Sequence, residues 1–228
     1  MEFENQSPIS LEQEHVHKVY NLIAGHFSQT RYKPWPVVDD YLKNIDPYSF
    51  GADVGCGNGK YLAVNPNLFL LGSDRSDELI KIVSEKGFEG LVCDGLSLGY
   101  KSNCFDFAIS IAVIHHFSTA ERRQQAIREI LRILKPGGTV LIFVWALEQE
   151  KNSKRRFETQ DEMVSWKTPA PKSNAEDPQE PPKLVTYQRY YHLFVKGELD
   201  ELAIGTGMCE IIKSGYDRDN HYCILKKI

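Results

Sequence analysis

The sequence predicts an α/β fold with a doubly wound, mostly parallel sheet of seven strands and an antiparallel strand at its C-terminal end. From residue 50 onward, five short apolar runs alternate with amphipathic helices, which is typical of a parallel sheet covered on both faces. The C-terminal segment instead carries two apolar runs joined by a polar turn, which predicts an antiparallel hairpin. The chain has 228 residues, 42% of them apolar, and we expect a single domain over residues 1–228.

The individual elements follow from hydrophobic periodicity and from capping signals. Ser10 and Gln13 have the spacing of a capping box, so the first helix is expected to begin at Ser10. Ser118 and Glu121 form a second such box before the helix that precedes the fifth strand. The predicted strands are 50–54, 68–72, 90–93, 105–111, 139–145, 208–214 and 221–226.

Two segments lie outside this alternating core. Residues 10–43 hold N-terminal helices and a loop rich in proline and aromatic residues, where we expect substrate to bind. Residues 151–183 carry five prolines and alternating charges, and we interpret them as an exposed, mobile insertion.

Bulk composition excludes several classes of protein and site. A net charge of −4 and a pI near 6.0 give no general sign of a nucleic-acid or membrane-surface protein. No apolar run approaches the roughly 18 residues that a membrane span needs, and the N-terminus lacks the pattern of a signal peptide. We therefore expect a soluble, intracellular protein. Its five cysteines include no C-x-x-C pair, so neither a metal site nor a disulfide framework is expected.

The strongest motif is a glycine loop after the first strand, with the sequence ADVGCGNGK at residues 52–60. Glycines let the backbone turn sharply and approach a ligand closely. The spacing G-x-G-x-G differs from the G-x-G-x-x-G of dinucleotide-binding proteins. Asp53, just before the loop, suits a cationic ligand better than a pyrophosphate. A nicotinamide oxidoreductase is therefore disfavoured.

Three aspartates, Asp53, Asp74 and Asp94, end successive strands, and parallel strands bring such ends to one edge of a sheet. Asp74 follows Asp53 by 74 − 53 = 21 residues, about the interval expected for a carboxylate that binds ribose hydroxyls. Asp94 is placed to accept a hydrogen bond from an adenine amino group. The pattern predicts a nucleoside-bearing cofactor. The other candidate contacts at this edge are Gly55, Gly57, Gly59, Gly95, Leu96 and Ile111.

These segments, with LKPGGT at 134–139, resemble the class I methyltransferases. The resemblance implies S-adenosylmethionine as cofactor, with Asp53 near its methionine end, Asp74 on the ribose and Asp94 near the adenine. Four longer strings are more specific: SQTRYKPWP at 28–36, AVIHHFST at 112–119, VWALEQ at 144–149 and QRYYHLF at 188–194. Together they resemble the eukaryotic tRNA methyltransferases that esterify 5-carboxymethyluridine at the wobble position. One departure is VSW at 164–166, where that family is expected to have VPW.

This closer resemblance implies a tRNA anticodon-loop substrate and a heterodimer with a small zinc-binding activator protein. It also implies a cytoplasmic location, with the nucleus as a second compartment. Arg31 and His116 are the candidate catalytic residues, Arg31 to hold the substrate carboxylate and His116 to hydrogen-bond the uracil or the carboxylate. The candidate substrate-binding residues are Tyr32, Trp35, His115, Trp145, Arg189, Tyr191 and His192.

The implied reaction needs no general base, because a carboxymethyl group with a pKa around 4 is already an anion at neutral pH. The main task is to align the carboxylate oxygen with the methyl group and the sulfur. Two alternatives stay open: a methyltransferase of the same fold acting on a quinone or sterol-type molecule, and an inactive module that binds cofactor or RNA. Intact glycine and acid motifs argue against the inactive module.

Overall fold

The computed structural model describes residues 6–31, 33–170 and 183–228. The first helix begins at Pro8, and the Ser7 hydroxyl caps it by accepting a hydrogen bond from the Ser10 backbone N–H at 3.2 Å. The predicted start at Ser10 is therefore wrong, because proline favours the first helical position and Ser7 supplies the cap. The helices are α1 (Pro8–Glu12), α2 (Lys18–Thr30), α3 (Pro36–Lys43), α4 (Asp77–Glu85), α5 (Ala120–Ile133) and α6 (Glu198–Ile204).

Seven of the nine strands in the described residues agree closely with the predicted apolar runs, and the strands at 161–169 and 184–192 were not predicted. The fifth begins earlier than residue 139, because Leu134 already pairs with Phe105 of the neighbouring strand. Strands one to five are β1 (Phe50–Val54), β2 (Phe69–Asp74), β3 (Gly90–Val92), β4 (Phe105–Ile111) and β5 (Leu134–Trp145). The others are β6 (Asp161–Pro169), β7 (Leu184–His192), β8 (Cys209–Tyr216) and β9 (Asn220–Lys227).

Seven of these strands form one sheet in the order β3-β2-β1-β4-β5-β9-β8. The pairs among β1 to β5 are parallel, whereas β9 runs antiparallel to both β5 and β8. The predicted fold class is thus confirmed.

Helices cover both faces of the sheet because successive side chains of the central strands point to opposite faces and are apolar on both. On one face Ala108 packs with Ile127 and Ile130 of α5, and on the other Ile109 packs with Val38 and Leu42 of α3. Full burial of one such aliphatic side chain stabilises the fold by roughly 1.5–3 kcal/mol. In the described part of the chain, no helix has the length and apolar character needed to cross a membrane.

The interpretation of 151–183 as an exposed, mobile insertion is wrong for residues 161–169, which form β6 and pair antiparallel with β7. The pairing is stable because alternate side chains of the hairpin are buried against the N-terminal helices. Trp166 packs on Val19 and Ile23, and Tyr190 packs on Leu11 and Val16. Residues 171–182 of that insertion lie outside the described ranges.

Candidate active site

A cavity of about 660 Å³ opens at the carboxyl ends of β1, β2 and β4. The glycine loop, the ends of β2 and β3 and the residues after β4 form its floor. Helix α2, the loop after it, β7 and the turn between β8 and β9 form its walls. The cavity therefore lies where open α/β sheets bind ligands.

The glycine loop keeps side chains out of this cavity. Gly55 has a φ of +79°, and a Cβ atom there would lie 2.2 Å from a methyl group of Val113. Gly57 also has a positive φ, of +55°, and lines the cavity. Gly59 faces away from it, and a Cβ atom there would approach the side chains of Leu62 and Val83 at 3.2 Å. Two of the three predicted glycines therefore face the ligand space.

Asp74 ties the glycine loop to the start of α4. One carboxylate oxygen accepts a hydrogen bond from the Gly57 N–H and the other from the Ser76 N–H, both at 2.9 Å. Burial raises the pKa of Asp74, and the backbone hydrogen bonds oppose this shift. The carboxylate lines the cavity and keeps lone pairs for a ligand.

Asp94 and Gly95 also line the cavity, as does Ile111. The Asp94 carboxylate accepts a hydrogen bond from the Leu96 N–H at 2.9 Å and faces Arg75 at 3.8 Å. Leu96 itself does not line the cavity, because its side chain packs against the core beneath α5.

Asp53 lies behind the glycine loop and not on the cavity surface. Its side chain is 1% exposed, and its Oδ2 has no hydrogen-bond partner among the described residues. Burial raises the pKa of Asp53 to about 8. The positive charge of Lys60 opposes this shift, and burial lowers the pKa of Lys60 to about 8. The Lys60 ammonium lies 4.4 Å from the ring centre of Tyr61 and 5.3 Å from that of Trp35, which lines the cavity.

The two histidines after β4 have different positions. His116 lines the cavity, with Nδ1 2.8 Å from the Tyr190 carbonyl oxygen and Nε2 2.9 Å from the Tyr20 hydroxyl. Because a carbonyl only accepts, Nδ1 carries the proton and Nε2 accepts from Tyr20. Burial lowers the pKa of His116 to about 3, so the ring is neutral. His115 is fully buried outside the cavity, and its Nδ1 accepts from the Trp145 N–H at 3.0 Å.

Arginines and aromatic rings form another part of the cavity wall. The Arg31 and Arg189 guanidinium carbons lie 5.3 and 4.7 Å from the ring centre of Trp166. Both faces of Trp145 are covered: Tyr191 stacks on it at 4.3 Å between ring centres, and Arg155 lies 4.0 Å from the same ring. The residues on this wall are Arg31, Trp145, Arg155, Arg189 and Tyr191.

Among the described residues, two predicted substrate-binding residues, His115 and His192, are not on the cavity surface. His192 lies between two carboxylates, with Nδ1 2.9 Å from Asp161 and Nε2 2.7 Å from Glu198. Burial lowers the pKa of His192, but the hydrogen bonds to these carboxylates outweigh it and raise the pKa. Tyr32, also predicted to bind substrate, lies outside the described residues.

Sequence reasoning missed several residues of the cavity, among them Tyr20, Lys60 and Arg155. Tyr20 fits the apolar face of α2 in the sequence, which gave no sign that its hydroxyl reaches His116. Arg155 belongs to the basic triplet at 154–156, which marks a cationic segment but does not tell which side chain turns inward.

Comparisons with known proteins agree with this architecture. Residues 52–142 match the family described as a methyltransferase domain. An S-adenosylmethionine-dependent methyltransferase structure from Clostridium acetobutylicum has a TM-score of 0.67 at 13% identity, over 92% of this chain and 99% of that one. The structure of a complex between the Haloferax volcanii Trm112 methyltransferase activator and a methyltransferase has a TM-score of 0.63 at 15% identity, over 96% of this chain and 97% of that one. At these identities both structures show the fold alone.

A relative in Schizosaccharomyces pombe, named tRNA (carboxymethyluridine(34)-5-O)-methyltransferase, is much closer in sequence. The two proteins are 52% identical over 96% of this chain and 99% of the relative. This similarity confirms the resemblance seen in the sequence, and the chain belongs to the tRNA (carboxymethyluridine(34)-5-O)-methyltransferase family.

Proposed function

We propose that this chain transfers a methyl group from S-adenosylmethionine to the carboxylate of 5-carboxymethyluridine at position 34 of tRNA, giving the methyl ester. The observation that carries the proposal is one cavity lined by two unlike sets of residues. Its glycines and acids suit a cationic nucleoside, and its arginines with aromatic rings suit an anionic base. A quinone or sterol-type substrate would leave the arginines without an anionic partner.

The residues present fit S-adenosylmethionine. The glycine loop is held open by a positive φ at Gly55, where a Cβ atom would overlap Val113, and the buried Asp53 has an oxygen without a partner among the described residues. When bound, the cofactor supplies an electrophilic methyl group and a sulfur leaving group. We propose that Asp74 accepts from ribose hydroxyls, that Asp94 lies near the adenine and that Asp53 balances positive charge from behind the loop.

Methyl transfer requires the substrate carboxylate to be positioned and not deprotonated, because the carboxylate is already an anion. His116 is a poor general base, since its Nε2 already accepts from Tyr20 and its pKa is lowered to about 3. We propose that His116 and Tyr20 orient the uracil or its carboxymethyl group by hydrogen bonding, and that Arg31 holds the carboxylate.

We propose that some of the remaining predicted substrate-binding residues contact the substrate and that others hold neighbouring parts of the site in place. Trp35 and Tyr191 line the cavity, and Trp145 can stack on a base once Arg155 leaves its outer face. His115 supports Trp145 through the backbone hydrogen bond, and His192 holds the β6–β7 hairpin beside α6. The role of Tyr32 is proposed from the sequence alone.

The proposal includes a small zinc-binding activator protein as heterodimer partner, in the cytoplasm and also the nucleus. In the Haloferax volcanii complex, a protein of this fold is bound to the Trm112 methyltransferase activator. The edge strand β3 supports a protein partner, because its Leu91 and Val92 are 42% and 46% exposed, and Phe69 at the start of the neighbouring strand β2 is 62% exposed. An exposed apolar edge strand is a ready site for pairing with another chain.

The test measures transfer of labelled methyl from S-adenosylmethionine to tRNA from cells that lack this chain, with and without the co-expressed activator. We expect label in one nucleoside, the methyl ester of 5-carboxymethyluridine, which mild base converts back to the acid. tRNA from cells that contain the chain is the matched control, because its esters are already formed. Label in lipid extracts but not in tRNA would favour the small-molecule alternative.

A further inference from the structure

Arg189 is a buried cation whose neighbours in the cavity carry no negative charge. It lies in β7 with a relative exposure of 4%, yet it lines the cavity. Its Nη1 donates to the Tyr191 hydroxyl at 2.8 Å and approaches the Tyr20 hydroxyl at 3.4 Å. Trp166 covers the guanidinium. Within residues 6–31, 33–170 and 183–228, its Nε has no hydrogen-bond acceptor and no carboxylate pairs with it.

The hydrogen-bond directions around Arg189 are fixed by its neighbours. Tyr20 donates its only hydroxyl proton to His116, so its oxygen can only accept from Arg189 or Tyr191. The two phenols are therefore neutral partners. Both contact Nη1, which is one nitrogen of a guanidinium group with five N–H donors. A buried charge that lacks an anionic partner is strongly unfavourable.

The rest of this wall adds positive charge. Burial lowers the pKa of Arg155, and the charges of Arg31 and Arg189 lower it further. Asp219, which also lines the cavity, opposes that shift in Arg155, but no carboxylate of the described residues influences Arg189 in the same way. Three guanidinium groups from three separate segments thus face one space. An anion from outside the chain would complete this arrangement.

We propose that Arg189 is the specificity-determining residue of this site, selecting an anionic carboxymethyl group over neutral substituents on the uracil. This inference rests on the proposed function and adds a role distinct from that of Arg31. Arg31 is half-buried in the loop after α2 and lines the cavity. Arg189 is fixed in a strand, so a neutral group placed there leaves the cation unpaired. A site of this kind rejects a substrate that lacks the matching polar group.

The experiment compares two anticodon stem-loop RNAs that differ only at uridine 34, one with a 5-carboxymethyl group and one with the neutral 5-carbamoylmethyl group. Affinity is measured by fluorescence anisotropy with saturating S-adenosylhomocysteine, for the wild type, Arg189→Met, Arg189→Gln and Arg189→Lys. We expect the wild type to prefer the acid by roughly tenfold or more, in line with one charge-assisted contact. Methionine and glutamine should remove the preference, and lysine should restore part of it.

Arg156→Met is the matched control, because Arg156 is exposed and bonds only loop carbonyl oxygens. It should leave the preference unchanged. A folded Arg189→Gln or Arg189→Met protein that still prefers the acid would overturn the inference. Loss of S-adenosylhomocysteine affinity with an unchanged preference would overturn it too, by assigning Arg189 to the cofactor's own carboxylate. A wild type without any preference would instead contradict the proposed function.

Discussion

The backbone of Arg31 is held by a hydrogen bond, whereas its guanidinium group mainly contacts aromatic rings. The Asn58 side chain of the glycine loop donates to the Arg31 carbonyl oxygen at 3.0 Å, which ties the loop after α2 to the cofactor side of the cavity. The guanidinium rests on aromatic rings, 5.3 Å from Trp166 and 5.8 Å from Phe27, and its one hydrogen bond within the described residues goes to the Thr30 carbonyl oxygen at 3.3 Å. A group held in this way can turn toward a substrate carboxylate without disturbing the fold.

We therefore expect Arg31→Ala to leave folding and cofactor affinity intact and to reduce the single-turnover rate at saturating tRNA by about 10²-fold, as for lost positioning. Arg31→Lys should recover only part of the rate, because an ammonium lacks the planar fork. The measurement is made at two salt concentrations. If Arg31 only contacted phosphates, the defect would appear as weaker tRNA binding that recovers at low salt. A wild-type rate in Arg31→Ala would remove it from the site.

Sequence reasoning identified the cavity residues Asp74, Asp94, Arg31 and Arg189 but not Arg155 or Tyr20. Asp74 and Asp94 could be placed because the carboxyl ends of neighbouring parallel strands meet at one edge. No such rule applies to Arg155, because its loop shows no hydrophobic periodicity. None applies to Tyr20 either, because its place in the helical pattern fits an ordinary core position. His115 and His116 are adjacent in sequence but differ in role, since the 3₁₀ turn Ile114–His116 points only one of them into the cavity.

Among the elements, α1 and α5 are joined by a buried ion pair. Glu12 is 1% exposed, and its carboxylate accepts from Arg122 Nε at 2.8 Å and Nη2 at 2.5 Å. The same carboxylate accepts from the Ser118 N–H and hydroxyl, both at 2.8 Å. The Ser118 hydroxyl therefore bonds Glu12 of α1 and does not cap α5, so the predicted capping box is wrong. Thr119 caps α5 instead, accepting from the Arg122 N–H at 3.3 Å.

Glu12→Gln should lower the free energy of unfolding by about 3 kcal/mol, because it leaves the partly buried Arg122 without its anionic partner. Glu14→Gln is the matched control. Glu14 pairs with Lys18 one turn along the helix, both side chains are about half exposed, and such pairs contribute less than roughly 0.5 kcal/mol. Urea unfolding at neutral pH measures both variants. Equal effects would show that α1 does not depend on the buried pair.

The β6–β7 hairpin shows why some elements could not be predicted. Its first strand, DEMVSWKTP, mixes charges with apolar residues and is followed by a proline-rich segment, which is typical of a loop. It forms a strand because Trp166 and Tyr190 are buried against the N-terminal helices, a contact between distant parts of the chain. The strands of the main sheet were predictable because they are buried on both faces and therefore apolar throughout.

For the molecule as a whole, the buried carboxyl group of Asp53, just before the glycine loop, makes folding stability depend on pH. Burial raises the pKa of Asp53 to about 8 from an ordinary value near 3.8. Between these values the folded protein binds a proton that the unfolded chain does not, so its stability falls as pH rises from about 4 to 8. Lys60 acts in another window. Burial lowers its pKa to about 8, so below pH 8 it is protonated in both states, and it adds stability only as pH rises above that value.

Asp53→Asn should therefore stabilise the cofactor-free protein increasingly as pH rises from 5 to 7.5. The difference in unfolding free energy between this variant and the wild type should grow by at most about 1.4 kcal/mol per pH unit, the limit for one proton. Taking the difference removes contributions common to both proteins, including those of the buried His115 and His116. Asp46→Asn, at an exposed position, is the control and should give a flat difference. Saturating S-adenosylmethionine should flatten the Asp53 difference as well, because a cation beside the loop favours the ionised carboxylate. A flat difference without cofactor would show that Asp53 is ionised in the folded protein despite its burial.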